Sequence, residues 1–288
     1  MKSGFVAIVG RTGVGKSTLL NEIVQKKVSI TSKHSNTTRF AVKGILNRAD
    51  AQVIFVDTPG FHRPKTRLGE RLNSVAGDFL GGVDCVLFVI DATALIGKGD
   101  SALAKRVPAN SICVVNKIDR AKPGEIVSQL LAASKFNFPE YFPVSSKTGQ
   151  GVDELVDELV RRLPNGPRLY PVKMVTDLDI GTRVGELVRE QLLEMVRDEL
   201  PHSLACQVTE WDGSYIRCDI FVERESQKPI VMGAGAQNLK LVGTKVREVL
   251  EDELGQSIFL DLRVKIAKDW QSSDRLIDSI GYGVGDEY

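Results

Sequence analysis

The sequence has no apolar run that approaches the ~20 residues needed to span a membrane as a helix. Its start, Met1 to Phe5, leads directly into a strand-like run and lacks the pattern of a signal peptide. Low-complexity tracts and internal repeats are also absent, and hydrophobic residues make up 42% of the chain, as in globular proteins. These absences argue against membrane-embedded and disordered proteins, and we expect a cytoplasmic globular one.

Cysteine is scarce, with four residues and no CxxC spacing. Cys85 and Cys113 lie in apolar, strand-like runs. We therefore expect reduced thiols in the core, and no cysteine metal site.

The net charge of +1 conceals a division between the two halves of the chain. Residues 1–169 contain 24 Lys and Arg against 15 Asp and Glu, a net charge of +9, whereas residues 170–288 contain 14 against 22, a net charge of −8. A nucleic acid would ordinarily meet a basic surface, and the first half is the basic one.

The length of 288 residues favours two domains, and the order of predicted elements differs between them. In the first, Val/Ile/Phe-rich runs alternate with amphipathic stretches, which predicts a doubly wound α/β sheet. Three prolines and a glycine within 163–171 cannot continue a helix. We expect a first domain at 1–165, a linker at 166–175 and an α+β second domain at 176–288, whose first helix should cover 186–200.

Residues 10–17, GRTGVGKS, fit the phosphate-loop pattern GxxxxGK[ST] between a predicted strand and a predicted helix. The glycines let the backbone wrap around phosphates, and the amino end of the helix adds partial positive charge. Lys16 should reach the β- and γ-phosphates, and Ser17 should bind Mg²⁺. A glycine-rich turn with a solvated lysine is the weaker alternative. Nucleotide binding is predicted here for Gly10, Gly13, Val14, Gly15, Lys16, Ser17 and Thr18.

A second phosphate-side motif, DTPG at 57–60, follows an apolar run. Asp57 should reach a magnesium-linked water, and Gly60 should offer its N–H to the γ-phosphate. In the polar loop 31–40 a threonine should close the magnesium shell; we favour Thr38 over Thr37, and a solvated loop is the alternative. The predicted metal ligands are Ser17, Thr38 and Asp57, and the predicted catalytic residues are Lys16, Thr38 and Gly60.

A guanine-reading motif, NKID at 116–119, ends another predicted strand. The Asp119 carboxylate can accept from guanine N1–H and the exocyclic amine, whereas adenine would leave it unpaired, so GTP is favoured over ATP. Lys117 should pack along the base and hold the phosphate loop, and Asn116 should brace the loops. The weaker segment Ser145, Ser146 and Lys147 should present backbone N–H groups to guanine O6; an ordinary turn is its alternative.

The residue after Gly60 is Phe61, where Ras-like switches carry a glutamine that orients the attacking water. An apolar ring cannot bind water, so we expect slow intrinsic hydrolysis of GTP to GDP and phosphate, with Phe61 packed elsewhere.

With these motifs in view, the whole chain resembles the Era family, bacterial GTPases with a carboxyl-terminal KH domain that assist assembly of the small ribosomal subunit. The resemblance rests on GRTGVGKST, SNTTRFAVKGI, VDTPGFHRPK, NKID, VSSKTGQGVDEL, IFVERESQKPIVMGAGAQNLKLVG and LRVKIAKDW. It implies an α/β P-loop GTPase domain with a mixed sheet, followed by an α+β type II KH domain. It further implies binding to 16S rRNA near its 3′ end in the 30S subunit, and peripheral association with the inner membrane.

The RNA-binding loop departs from the family pattern. KH domains hold the RNA backbone with a GXXG loop, typically with a basic residue inside, and here the residues are Gly233, Ala234, Gly235 and Ala236. Ala236 should begin a helix and expose its N–H to phosphate. Because the second half carries −8, RNA binding should be local, or these charges form only a solvated face. The predicted contacts are Arg224, Lys228, Lys240, Lys245 and Arg247, with Ile230 and Val231 on the bases.

Gly13 is a second departure, since the family usually has an asparagine there that is linked to potassium coordination in related GTPases. We therefore doubt potassium stimulation here. The run His62, Arg63, Lys65, Arg67 and Arg71 after the DTPG turn is our hypothesis for an RNA- or ribosome-facing surface.

The motifs thus predict a monomeric GTPase switch, and the resemblance implies that it assists 30S assembly. The alternatives are an RNA-binding adaptor with a structural nucleotide site, and a GTPase of tRNA modification or membrane transport.

Overall fold

The computed structural model describes residues 1–34, 37–196 and 200–282, and the chain divides into two compact units. The first unit comprises residues 1–31, 35–64 and 70–177, and the second comprises 32–34, 65–69 and 178–288. The segment 166–175, predicted as a linker, belongs to the first unit. There the buried side chain of Gln52 accepts from the backbone N–H groups of Leu169 and Tyr170 and donates to the Tyr170 carbonyl.

A six-stranded mixed sheet forms the centre of the first unit, in the order β2-β3-β1-β4-β5-β6. Only β2 runs antiparallel to its neighbour among these strands. The sheet is the doubly wound mixed sheet that the sequence predicts. The strands are β1 (Lys2–Gly10), β2 (Val42–Asn47), β3 (Ala51–Asp57), β4 (Cys85–Asp91), β5 (Ile112–Asn116) and β6 (Glu140–Pro143).

Both faces of this sheet are covered by helices, because alternate strand residues point to opposite faces and both sets are apolar. In β1, Val6 and Ile8 belong to one buried cluster, and Ala7 and Val9 belong to the other. The helices are α1 (Lys16–Val24), α2 (Arg67–Asp78), α3 (Lys98–Ala104), α4 (Pro123–Ala133) and α5 (Val152–Arg162).

The second unit packs helices on a three-stranded sheet ordered β7-β8-β9, with β8 and β9 parallel. Its core includes Val188 and Leu192 of the first helix and Val242 and Val246 of the longest one. The elements are α6 (Ile180–Met195), α7 (Leu200–Ser203), β7 (Ala205–Asp212), β8 (Tyr215–Val222), α8 (Lys228–Met232), α9 (Gln237–Leu254), β9 (Phe259–Ile266) and α10 (Asp274–Ile277).

Helix α6 differs in both of its ends from the helix predicted at 186–200, so the predicted bounds are corrected. It begins six residues earlier, because the carboxylate of Asp179 accepts from the Thr182 N–H and caps the first turn. It ends at Met195 because Val196 has extended backbone angles, and residues 197–199 lie outside the described residues.

All four cysteines are free and buried. Burial raises the pKa of Cys113 to about 12, so its thiol is protonated and unreactive at neutral pH. Within the described ranges, none of the helices is long and apolar enough to cross a membrane.

Candidate functional site

The predicted nucleotide-binding residues meet at one edge of the six-stranded sheet. Parallel strands β1, β3, β4 and β5 end there in Gly10, Asp57, Asp91 and Asn116. Ligands of open α/β sheets bind at this carboxyl edge. The topology therefore gathers motifs that are separated by up to about a hundred residues in the sequence.

The phosphate loop leaves β1 and turns into α1 through glycines with left-handed backbone angles. Gly15 has φ 95°, and a Cβ there would lie 2.4 Å from the Nδ2 atom of Asn116. A side chain at this position would therefore displace the loop from the base-reading strand. Gly13 also has a positive φ, Val14 is buried, and Thr18 is half-buried in α1.

Lys16 lies inside the phosphate loop, 6% exposed, with Nζ donating to the carbonyls of Gly10 at 3.3 Å and Arg11 at 3.1 Å. Burial lowers the pKa of Lys16 to about 8, against the opposing effect of the Asp57 charge. Burial likewise raises the pKa of Asp57, while Lys16 and three hydroxyl groups act to lower it. The lysine is thus a desolvated cation within the loop, which a phosphate group would neutralise.

Three side chains form the predicted metal site. The hydroxyl oxygens of Ser17 and Thr38 lie 2.9 Å apart, and Thr38 Oγ1 lies 3.5 Å from Oδ2 of the fully buried Asp57. Oδ1 of Asp57 has no hydrogen-bond partner among the described residues. Octahedral Mg²⁺ at 2.0–2.1 Å places adjacent ligands about 2.9 Å apart. The hydroxyl pair and the unpartnered carboxylate oxygen therefore fit a magnesium ion.

Thr37, the alternative to Thr38, stays a prediction. Ser35 and Asn36, which precede it in the segment that carries the resemblance, lie outside the described residues.

Gly60 and Phe61 connect the DTPG turn to the phosphate loop. A Cβ on Gly60 would lie 2.8 Å from the Cα of Thr12, so the two backbones touch only because residue 60 is glycine. The N–H of Phe61 donates to the Gly10 carbonyl at 3.1 Å. The ring packs on the apolar cluster of β4 and β5, with the Arg106 guanidinium 5.2 Å from its centroid. Phe61 is thus packed away, as expected for an apolar residue here.

Asn116 joins three loops at the base-reading end. Its Nδ2 donates to the Val14 carbonyl at 2.9 Å, and its Oδ1 accepts from the N–H groups of Lys117 and Ser146 at 2.8 and 3.0 Å. Asn116 and Ser146 are buried, whereas Lys147 is exposed. These bonds brace the loops that the sequence assigns to guanine.

Lys117 and Asp119 are each held by a second side chain. Lys117 Nζ lies 2.6 Å from Oδ2 of Asp91 and also donates to the Gly13 carbonyl. Ser145 donates its hydroxyl to Oδ1 of the exposed Asp119 at 2.7 Å. The lysine stem and the aspartate are therefore fixed in place before a base binds.

In the second unit, the predicted RNA-binding loop lies between α8 and α9. Gly233, Gly235 and Ala236 all have positive φ, and Ala236, at 61°, is the residue before α9. The Ala236 N–H donates to the Gly233 carbonyl at 3.2 Å. The expectation that this N–H is exposed to phosphate was therefore wrong, because the loop uses it internally.

Two apolar neighbours on α8 differ sharply in exposure. Ile230 is 55% exposed, but Val231 is 1% exposed and packs in the core of the second unit. The predicted base contact by Val231 is therefore corrected: its side chain cannot meet a base. Lys245 lies 3.5 Å from Glu194 across α9 and α6. The RNA contacts predicted for the other residues stay predictions; these residues are Arg224, Lys228, Ala234, Lys240 and Arg247.

The basic run after the DTPG turn is not uniformly available. Arg63 and Lys65 are exposed, but Arg67 Nε donates to Asp274 Oδ2 at 3.0 Å. Segment 65–69 belongs to the second unit, which also contains Asp274. Arg67 is thus paired with an acidic side chain, and the basic contact surface of His62, Arg63, Lys65 and Arg71 stays a hypothesis.

Sequence reasoning missed two residues that hold site side chains. Asp91 ends β4 at the same sheet edge as Asp57, and that position was a signal for it. Ser29 donates to Asp57 Oδ2 at 2.8 Å, yet it lies in a loop outside every motif, where nothing in the sequence distinguishes it.

Comparison with known proteins agrees with both units. Residues 5–117 match the model of the 50S ribosome-binding GTPase family, and residues 199–271 match that of the KH domain. GTPase Era of Mycobacterium tuberculosis (strain H37Rv) is 44% identical over 295 residues, covering 97% of this chain and 98% of the relative. GTPase Era of Mycolicibacterium smegmatis is 44% identical, covering 98% and 99%.

Solved structures give the same result. An Aquifex aeolicus Era variant bound to GDP and AlF4⁻ is 37% identical, with a TM-score of 0.93 over 99% of this chain and 100% of that one. Era in complex with MgGDPNP and nucleotides 1506–1542 of 16S rRNA is also 37% identical, with a TM-score of 0.94 over the same shares. A P-loop GTPase domain followed by a KH domain, with this identity over nearly the whole length, shows that the chain belongs to the Era family of GTPases.

Proposed function

We propose that this protein is a magnesium-dependent GTP switch that binds 16S rRNA near its 3′ end and assists assembly of the 30S subunit. One observation carries the switch: Thr38, from the loop after α1, meets Ser17 of the phosphate loop at 2.9 Å beside buried Asp57. A loop held through a metal and a γ-phosphate is released on hydrolysis.

This geometry supports the following roles for the site residues. The loop residues Gly10, Gly13, Val14, Gly15 and Thr18 surround the phosphates, and Lys16 and Gly60 bind the γ-phosphate. Ser17, Thr38 and Asp57 hold Mg²⁺, which neutralises charge on the phosphate oxygens. Asp119 reads guanine, with support from Asn116, Lys117, Ser145, Ser146 and Lys147. Because the ring of Phe61 packs on the cluster of β4 and β5 and cannot orient a water, we infer slow hydrolysis until the ribosomal partner is engaged.

The RNA part of the proposal rests on the family and on the second unit. The Era relative that was solved with MgGDPNP holds 16S nucleotides 1506–1542. Here the α8–loop–α9 unit presents an exposed Ile230 beside the glycine-containing loop. A net charge of −8 over 170–288 predicts few phosphate contacts and a weak dependence on salt.

The deciding experiment measures GTP hydrolysis and RNA binding together. We expect 30S subunits to accelerate GTP hydrolysis, and an RNA with the sequence of 16S nucleotides 1506–1542 to bind more tightly with GDPNP than with GDP. An adaptor with a structural nucleotide site would bind RNA equally with both nucleotides and would not hydrolyse GTP. Lys16→Ala is the control that should lose nucleotide dependence.

A further inference from the structure

A serine outside every motif is bonded to the predicted metal site. Ser29 is 1% exposed, and its hydroxyl donates to Oδ2 of Asp57 at 2.8 Å. We propose that Ser29 is a positioning residue of the magnesium site; this inference rests on the proposed function. Ser29 fixes the Asp57 carboxylate so that Oδ1 faces the water shell of the ion.

The backbone of Ser29 is held independently of its hydroxyl. The Oδ1 atom of Asn21, on α1, accepts from the N–H groups of Val28 and Ser29, both at 2.9 Å. Its Nδ2 donates to the Ser29 carbonyl at 2.7 Å. One carboxamide from α1 therefore clamps the chain at the start of the loop that leads to Thr38, and this clamp does not involve the Ser29 side chain.

The two oxygens of the Asp57 carboxylate have different surroundings. Oδ2 accepts from Ser29 at 2.8 Å and lies 3.5 Å from Thr38, whereas Oδ1 has no partner among the described residues. A carboxylate with one oxygen bonded to a fixed donor cannot rotate freely about its χ2 angle. Ser29 thus leaves Oδ1 for a magnesium-bound water, as partners of metal-linked groups commonly do.

Removing the hydroxyl isolates this contact. Ser29→Ala keeps every bond that Asn21 makes, so it should not detach the loop. It leaves the buried Asp57 without its closest donor, and partners of this kind are worth about 10- to 100-fold in metal affinity.

The test follows release of a fluorescent GDP while Mg²⁺ is varied, and again in EDTA. Wild-type protein should release GDP more slowly with Mg²⁺. For Ser29→Ala, we expect the Mg²⁺ concentration that gives half of this slowing to rise about tenfold. Release in EDTA should change less than twofold, and Ser29→Thr should restore the wild-type response.

Ser111→Ala is the matched control, because Ser111 is also fully buried in the first unit and its hydroxyl has no partner among the described residues. It should leave the Mg²⁺ response unchanged. Equal Mg²⁺ responses in Ser29→Ala and wild-type protein would overturn the inference. It would also be overturned if Ser29→Ala released GDP faster than wild-type protein by the same factor with Mg²⁺ and in EDTA. If wild-type release did not respond to Mg²⁺ at all, the proposed magnesium switch itself would fail. Thermal unfolding of Ser29→Ala, and the weaker-donor variant Ser29→Cys, separate the loss of this hydrogen bond from a folding defect.

Discussion

The ammonium group of Lys117 lies 2.6 Å from Oδ2 of Asp91, and the two side chains come from the ends of neighbouring parallel strands. Asp91 is itself fixed, because its Oδ1 accepts from the N–H and hydroxyl of Thr93 at 2.8 and 2.7 Å. Burial raises the pKa of Asp91, but the bonds from Lys117 and Thr93 outweigh it, and the pKa lies below its ordinary value. The Asp91 carboxylate is therefore ionised at neutral pH.

Asp91→Asn should weaken guanine-nucleotide binding although residue 91 lies outside the NKID motif. The variant removes a charge-assisted bond that holds Lys117, worth about 1–2 kcal/mol, so we expect the Kd for GDP to rise about five- to thirtyfold. Fluorescence titration with labelled GDP measures this. Asp157→Asn, whose partner Arg48 lies on the surface, should leave the Kd unchanged. An unchanged Kd in Asp91→Asn would show that Lys117 needs no second holder.

GDP affinity should fall as pH rises above about 8. In the nucleotide-free protein burial lowers the pKa of Lys16 to about 8, whereas bound phosphates favour the charged form. Binding above that pH therefore takes up a proton, and the affinity declines by at most about tenfold per pH unit. The same shift makes the free protein more stable as pH rises from 8 towards 10.5, because there the unfolded chain binds more protons.

Isothermal titration of GDP at pH 8.5, in two buffers of different ionisation enthalpy, measures that proton uptake directly. Lys16→Met should bind GDP more weakly without the uptake. Identical heats in the two buffers for the wild-type protein would contradict the prediction.

Ala236→Gly should stabilise the second unit. Ala236 adopts φ 61°, a left-handed conformation that costs a residue with a Cβ roughly 1–2 kcal/mol. Glycine removes this strain but costs about 0.4–1 kcal/mol because it makes the unfolded chain more flexible, so we expect a net gain of at most about 1.6 kcal/mol. Urea unfolding provides the measurement. Ala234→Gly is the control, since Ala234 has no positive φ, and it should bring no gain.

Substitutions at Ile230 and Val231 should have different effects: the first should weaken RNA binding, and the second should lower stability. Ile230→Ser alters an exposed side chain and should reduce affinity for the RNA of 16S nucleotides 1506–1542 without lowering the unfolding midpoint. Val231→Ala should lower the free energy of unfolding by about 2 kcal/mol, because it opens a cavity in the core. RNA binding is measured by fluorescence anisotropy. The prediction fails if Ile230→Ser binds RNA like wild-type protein.

Potassium should not stimulate hydrolysis. Gly13 has no side chain to offer a cation, and a Cβ placed on it would meet no atom within 4 Å. GTP turnover should therefore agree within about twofold between KCl and NaCl of equal concentration. Gly13→Asn has room for its side chain, and left-handed backbone angles suit asparagine. A marked potassium response in the wild-type protein would contradict this.

The motifs in the sequence predicted the sheet, the phosphate loop and the base-reading strand, because phosphate and guanine recognition need particular residues at particular spacings. What surrounds those residues escaped prediction for a physical reason. Ser29 and Asp91 act through atoms of other site residues, and only the folded chain brings them within 3 Å. Val231 looked like its neighbour Ile230 in the sequence, but a one-residue step on a short helix moves a side chain from the surface into the core.

The four cysteines also matter for experiments on this chain. Each thiol is buried, and a buried thiol reacts slowly with electrophiles. A single cysteine introduced at an exposed position such as Ser134 would therefore be the fast-reacting thiol. Spectroscopic probes can therefore be attached to this protein without first replacing its four native cysteines. Its motions during the nucleotide cycle then become directly observable.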